Sequence, residues 1–315
     1  MKFLIVIVTL SLAGFSFAKD NQPPEYFARY QINQTIGFGQ ILDDKIQPLI
    51  GDLFQQFEKS GEPISLKDVT LLLPTQPQSV FAVGMNFASH LSSPSNAPPP
   101  LFLKLPSSLI TAGKNIELPK DATNVHFEGE LVLIIGKQAK NISIEEADDY
   151  IFGVTVGNDI TERNWQSSDL QWMRAKAMDG FGPVGSIMAT GLDYNNLLLT
   201  TKLNDKIVQQ ENTKFMIHKP AKVVSYLSQY FTLMPGDLIY MGTPGRTQSL
   251  KHNDKILVSI EKVGMVENMI VRKNHRGRVL QLTKKSSGSR LTFDIDTHIN
   301  KGQHLGAGLF CSSKA

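Results

Sequence analysis

Short apolar runs broken by turn residues dominate the chain, and helical spacing is rare. Residues 19–78 form a first block of β-like pieces. In it, residues 36–39 (IGFG) and 42–45 (LDDK) predict a hairpin and residues 49–57 a short helix. Residues 71–73 (LLL) and Pro74 close the block, and residues 74–77 read as a linker. A second block starts with the apolar run SVFAVGMN from Ser79, continues with a strand over residues 101–104, and holds a buried strand over residues 130–137 (ELVLIIGK). Ser143 and Glu146 form a capping box that opens a helix through Tyr150. Residues 152–159 are strand-like and run into a polar cluster over residues 159–166. Two strands over residues 197–209 meet at Asn204-Asp205, a two-residue hairpin turn. A helix follows over residues 220–231, then the Pro235-Gly236-Asp237 turn and strands over residues 238–241, 256–260 and 265–271. No internal repeat occurs. Strands outnumber helices and hairpins predominate, so the expected class is β-rich α+β rather than a doubly wound sheet.

Composition narrows the picture. With 315 residues, 41% apolar and 19% charged, the chain can build a full core. The net charge is +3, but residues 272–315 carry nine basic and two acidic residues, leaving residues 1–271 at −4. A body built for nucleic acid is thereby excluded; only the tail from Lys273 onward is basic, and it reads as a solvated segment. The histidines His275, His298 and His304 in that tail have no metal-site spacing. Cys311 is the single cysteine, which excludes an internal disulfide and a Cys-based zinc site. At the other end, Lys2, the apolar residues 3–12 (FLIVIVTLSL) and the small residues Ser16 and Ala18 read as a secretory signal cleaved before Lys19. The expectation is an exported protein, periplasmic or secreted, with no transmembrane span, because the apolar run is shorter than the ~20 residues a span needs. The predicted organisation is a signal over residues 1–18, a small domain over 19–78, a catalytic domain over 79–273 and a basic tail over 274–315.

The sharpest chemical feature is Glu128-Gly129-Glu130 at the head of the buried strand. Alternate side chains of a strand share a face, so both carboxylates point the same way and repel unless a cation or proton intervenes. Alone, Glu-x-Glu reads more readily as a solvated strand edge. Here the strand is too apolar to lie in water, and Asp159 ends another apolar strand as a candidate third carboxylate. Three carboxylates without Cys or His make a hard, all-oxygen site suited to Mg²⁺, Mn²⁺ or Ca²⁺. The Pro- and Ser-rich residues 92–100 (SSPSNAPPP) read as a linker or an active-site lid.

Seven motifs in order carry a resemblance. The run VGMNFASH (residues 83–90) resembles the G-x-N-Y/F-x-x-H opening of the fumarylacetoacetate hydrolase family. LFLK (101–104), EGEL (128–131), NDITERNWQ (158–166), KAMD (176–179), PGD (235–237) and GTPG (242–245) follow as that family has them. Each is weak alone; the ordered set over residues 80–271 is specific. Residues 26–78 also resemble the small N-terminal β domain of many members. The resemblance implies a mixed β-roll catalytic domain, usually in a homodimer, that cleaves or rearranges 2-oxo and β-diketo acids. It implies Glu128, Glu130 and Asp159 as divalent-metal ligands, and Lys176 as the stabiliser of negative charge on the substrate. Arg163, Gln166 and Thr243 become pocket residues, and His90 the lid histidine that activates water.

Physical chemistry supports that reading independently. A 2-oxo acid chelates a metal through its carboxylate and keto oxygens, and cleavage leaves an enolate that a metal and an ammonium group stabilise. Taken singly, His90 reads as a surface histidine, Lys176 as a solvated lysine after Arg174, and Arg163 as a partner of Glu162 or Asp169. The chain departs from the family at Ser93, where hydrolytic and decarboxylating members of similar size place a glutamate paired with the lid histidine, and at Asn164, which replaces a commoner aspartate. The leading expectation is an Mg²⁺- or Mn²⁺-dependent C–C bond hydrolase of acylpyruvate or fumarylacetoacetate type. Alternatives are a hydratase, isomerase or decarboxylase on the same scaffold, and a silent descendant that binds metal and a dicarboxylate without turnover. A glycosidase using Glu128 and Glu130 is remote, because a third carboxylate sits with them and no aromatic sugar platform does.

Overall fold

The computed structural model describes residues 23–91 and 97–272; the signal segment, the tail, Ser93 and most of the Pro/Ser-rich stretch lie outside the described residues. Among the described residues, two mixed sheets dominate and no helix is long and apolar enough to cross a membrane. The larger sheet has twelve strands, ordered along its main path from the N-terminal meander through Ile187–Thr190, Ile151–Asn158, Gly129–Ile135, Leu238–Tyr240 and Val80–Val83 to Leu101–Lys104. The meander Glu25–Ile32, Thr35–Leu42 and Lys45–Gly51 turns at two-residue loops, the second at Asp43, whose φ is 54°. It joins the sheet through the antiparallel pair of Glu25–Ile32 with Ile187–Thr190.

The centre explains the apolar run of the sequence. All seven residues of Gly129–Ile135 are buried. The strand pairs antiparallel with Ile151–Asn158 on one side and Leu238–Tyr240 on the other. The second sheet has five strands in the order Asn115–Leu118, Gly264–Arg272, Lys255–Ile260, Leu198–Leu203, Lys206–Asn212. Leu131, Leu133, Val154 and Val156 of the first sheet share one core with Leu199, Val258, Ile260 and Val266 of the second. Helix Pro220–Tyr230 covers this core with Pro220, Val223, Val224 and Leu227, an i, i+3, i+4, i+7 stripe. The β-rich α+β class follows directly, and the Asn204-Asp205 hairpin forms with both residues in the left-handed region, at φ 49° and 67°.

Two expectations need correction. Residues 49–57 are not helical. Strand Lys45–Gly51 runs to Gly51 (φ 102°), the Asp52 carboxylate accepts from the Phe54 N–H at 2.8 Å, and Phe57–Lys59 returns antiparallel on Leu49 and Ile50. A glycine in the left-handed region followed by an Asx turn stops a helix before it nucleates. The capping box at Ser143 does form, with the Ser143 N–H on Glu146 Oε2 at 2.9 Å and the Glu146 N–H on Ser143 Oγ at 3.3 Å. What it opens is one 3₁₀ turn, Ala147–Tyr150, because strand Ile151–Asn158 claims the next residue.

Candidate active site

Sheet register assembles the acidic cluster. Gly129 pairs with Asn158, so Asp159, one residue on, lies beside Glu128, and its N–H donates to the Glu128 carbonyl at 2.8 Å. The Asn158 Oδ1 accepts from the Glu128 N–H at 2.9 Å, pinning the strand end. Oxygens of Glu128, Glu130 and Asp159 all lie within 4.8 Å of one another, and all three residues are buried. Gly129 is required between them: a Cβ there would meet Thr201 Oγ1 at 2.3 Å, so only glycine lets the Glu128–Glu130 tripeptide lie against the second sheet. On the other flank, Leu238–Tyr240 delivers the 242–245 turn, whose Gly242 N–H donates to Glu130 Oε2 at 2.7 Å.

Two buried lysines enclose the cluster. Lys176, at the end of helix Met173–Lys176, donates to Glu128 Oε2 at 2.7 Å, Asp159 Oδ2 at 2.5 Å and Thr161 Oγ1 at 2.8 Å. It is thus a site residue and not a solvated neighbour of Arg174, whose own exposed pair is Asp169 at 2.7 Å. Lys104, the last residue of Leu101–Lys104, donates to Asp159 Oδ1 at 2.6 Å and to the Lys176 carbonyl. Sequence reasoning passed over Lys104; its signal was a lysine ending an apolar strand inside one of the ordered motifs. Arg163 pairs with neither Glu162 nor Asp169. Its Nη2 donates to Glu128 Oε1 at 2.6 Å and Thr247 Oγ1 at 2.9 Å, and its Nη1 to Gln166 Oε1 at 2.8 Å. Glu162 is spent as a helix N-cap on the Trp165 N–H.

His90 sits at the rim. Its Nδ1 is 2.6 Å from the Gly245 carbonyl and its Nε2 3.8 Å from Glu128 Oε1. A carbonyl only accepts, so Nδ1 carries the proton and the neutral ring's lone pair is on Nε2, toward the cluster. Thr243 lines the pocket, but its hydroxyl is committed elsewhere: it donates to the Gly129 carbonyl at 2.8 Å and accepts from Gln209 Nε2 at 3.0 Å. Val83, Gly84, Phe102 and Trp172 complete the wall, with Phe102 between Trp172 (5.5 Å between centroids) and the Lys176 ammonium (4.8 Å).

Electrostatics sort the three carboxyls. Burial opposes charge on Glu128, yet Lys176 and Arg163 together hold it well below the usual carboxylate range. Burial, reinforced by Asp159 and Glu128, pushes Glu130 well above that range. Burial works against the Lys176 ammonium as well, but Asp159 and Glu128 outweigh it and raise its pKa, so it stays charged. For Lys104 burial wins over Asp159 and lowers the pKa. Crowded like charges with only oxygen donors are what a divalent cation relieves, and this donor set fits a hard metal ion. The arrangement offers a metal seat, fixed cations for an anionic substrate, and a base at the mouth.

Comparisons with known proteins place the chain among related folds and sequences. Residues 79–271 match the family model described as fumarylacetoacetate (FAA) hydrolase C-terminal, and residues 27–74 match one described as Rv2993c-like, N-terminal. Oxaloacetate tautomerase Fahd2a, mitochondrial, of Rattus norvegicus is 34% identical over 272 residues, 76% of this chain and 86% of that protein. The crystal structure of 5-carboxymethyl-2-hydroxymuconate delta-isomerase from Mycobacterium smegmatis matches with TM-score 0.75 and 34% identity, covering 79% of this chain and 100% of that one. Fumarylpyruvate hydrolase from Pseudomonas aeruginosa, solved with Mn²⁺ and pyruvate, matches with TM-score 0.59 and 27% identity over 65% of this chain and 100% of that one.

Proposed function

The chain belongs to the fumarylacetoacetate hydrolase family and is an enzyme of it, and from that premise we propose that it hydrolyses a C–C bond in a 2-oxo or β-diketo acid of the acylpyruvate or fumarylacetoacetate type. The observation that carries this reading is the buried trio Glu128, Glu130 and Asp159 with the Lys176 ammonium on two of its members. Those three residues would hold Mg²⁺ or Mn²⁺, which when bound supplies Lewis-acid polarisation of the substrate's carboxylate and keto oxygens. Arg163, held by Gln166 and Thr247, presents a fixed positive charge to an acidic substrate. His90 Nε2 takes a proton from the water that attacks the acyl carbonyl. As the C–C bond breaks, its electron pair passes to the 2-oxo fragment as an enolate, and Lys176, held protonated by its carboxylates, stabilises that charge. The proton taken by His90 then goes to the enolate carbon, giving the keto acid and freeing the base. Phe102 and Trp172 form the apolar wall that limits water on the far side.

The test is turnover of acetylpyruvate, fumarylpyruvate and oxaloacetate by protein stripped of metal and reloaded with Mg²⁺ or Mn²⁺. Metal-dependent release of acetate or fumarate together with pyruvate from the first two substrates, abolished in Glu128→Gln and Asp159→Asn, is expected, whereas pyruvate and CO₂ from oxaloacetate would mark a decarboxylase; equal activity in EDTA overturns the proposal. A second reading, tautomerisation of a 2-oxo acid, is favoured by the identity to the rat tautomerase and by serine at position 93 in place of the paired glutamate. It predicts enol-to-keto conversion of oxaloacetate with no acid released. Metal binding without either reaction would mark a silent descendant. Export directed by residues 1–18 and assembly as a homodimer belong to the same proposal, checked by cell fractionation and by light scattering.

A further inference from the structure

None of the seven motifs falls in the strand Lys206–Asn212, an edge strand of the second sheet, yet its side chains hold the rim of the site. Gln209 and Glu211 are two residues apart in that strand and so share a face. Buried Gln209 accepts from the Gly129 N–H at 3.3 Å through Oε1, and its Nε2 donates to Thr243 Oγ1 at 3.0 Å and to the Pro244 carbonyl at 2.5 Å. One amide therefore ties the ligand tripeptide to the 242–245 turn. Glu211 Oε2 accepts from the Ser89 hydroxyl at 2.5 Å, and Ser89 Oγ in turn accepts from the Gly245 N–H at 2.9 Å. The Gly245 carbonyl then accepts the proton of His90 Nδ1 at 2.6 Å. Both polar groups of Gly245 are thus held by the consecutive residues Ser89 and His90.

We propose that Gln209 and Glu211 are positioning residues that set the tautomer and aim of His90. The inference rests on the reading of His90 as the base of this site. A free neutral imidazole divides between two tautomers and rotates about two side-chain torsions. Anchoring Nδ1–H on a carbonyl whose own turn is fixed from a rigid strand leaves Nε2 bare and facing Glu128. The backbone carbonyl thereby takes over the orienting part of a paired carboxylate, without supplying a second charge. Orientation of this kind is worth a large factor, since misplacing a reacting group by about 1 Å costs up to ~10²-fold in rate.

The direct test reads the ring and not turnover. In protein labelled with ¹⁵N at histidine, at about pH 8 where an ordinary imidazole is neutral, His90 resonances are assigned by their loss in His90→Gln. Wild type is expected to show a protonated Nδ1 and a bare Nε2, and Glu211→Ala and Ser89→Ala a mixture of tautomers. Glu211→Gln keeps an acceptor for the Ser89 hydroxyl and is expected to restore the single tautomer. In the accompanying assay Glu211→Ala loses between about tenfold and a hundredfold in kcat, with KM and Mn²⁺ affinity within about twofold, as positioning of a base and not of a ligand requires. Gln209→Leu is expected to mix the tautomers too. An Nε2–H tautomer in wild type, or an unchanged single tautomer in Glu211→Ala and Ser89→Ala, overturns the proposal. Inactivity of wild type on every substrate tried, with the ring pattern as described, counts against the proposed reaction and leaves the positioning role standing.

Discussion

At the scale of single residues, the site is a balance of three carboxyls against three cations, and the balance predicts how metal enters. Glu130 is the carboxyl pushed well above its ordinary range, by burial first and then by Asp159 and Glu128. A metal ion needs it ionised, so binding must expel that proton. Calorimetric titration with Mn²⁺ in buffers of different ionisation enthalpy is therefore expected to show proton release that increases as the pH is lowered. The sign follows: apparent affinity rises with pH up to the raised Glu130 value and levels off above it. Binding with no proton release at any pH where the protein stays folded would contradict the assignment. Glu128 behaves oppositely, since Lys176 and Arg163 overcome its burial and keep it ionised, so Glu130→Gln is expected to remove the proton release while Glu128→Gln does not. Lys104 adds a separate consequence. It is buried against Asp159 at 2.6 Å, and removing one member of a buried pair costs about 3–5 kcal/mol. Lys104→Met is expected to lower the denaturant midpoint by a corresponding amount, softened by the second contact of Asp159 with Lys176.

At the scale of elements, the Glu128–Glu130 tripeptide depends on how closely one strand lies on another. Gly129→Ala places a Cβ at 2.3 Å from Thr201 Oγ1 and 3.0 Å from Val258 Cγ1, an overpacking that costs about 1–3 kcal/mol. Thr201 Oγ1 is buried without a hydrogen-bond partner, so Thr201→Ala alone removes an unsatisfied group and is expected to change the melting temperature little. Combined with Gly129→Ala it should recover part of the lost stability and metal affinity; equal melting temperatures for the single and double variants would show that Val258 and not Thr201 is the obstacle. This contact also marks what the sequence carried. The spacing of Glu128 and Glu130, the apolar run after them and the position of Asp159 were all legible, because strand alternation and hydrophobic burial act locally. Lys104, Gln209 and Glu211 were not, since each acquires its role from a partner dozens of residues away: Lys104 from Asp159, Gln209 from Gly129, Glu211 from Ser89. The helix expected over residues 49–57 failed on local grounds too easily outweighed by apolar content, namely Gly51 and the Asp52 turn. Arg163 was ambiguous for the opposite reason, its sequence neighbours offering carboxylates that the fold employs elsewhere.

At the scale of the whole molecule, a partly apolar surface adjoins the two segments that carry the site's lysines. A groove of about 680 Å³ lies along Leu105, Ile110, Met173 and Met178. Leu105, 42% exposed, directly follows Lys104, and Met173, 63% exposed, opens the short helix that ends in Lys176. Large apolar side chains exposed together mark interaction surfaces, and the proposed homodimer gives this one an occupant in a second copy of the chain. Covering it would buttress both lysine-bearing segments at once, which links assembly to catalysis in a measurable way. Met173→Glu sets a charge in the proposed contact while leaving every residue of the metal cluster in place. Light scattering at micromolar concentration is expected to report a dimer for wild type and a shift toward monomer for Met173→Glu and for Leu105→Asp. If the contact also steadies Lys176, Mn²⁺ affinity falls in the monomeric variants and recovers as protein concentration is raised, because dimer formation follows mass action. A dimer unaffected by both substitutions would place the interface elsewhere. Monomers with full metal affinity and full turnover would separate assembly from the site, and the two lysine segments would then owe their order to the sheet and the carboxylates alone.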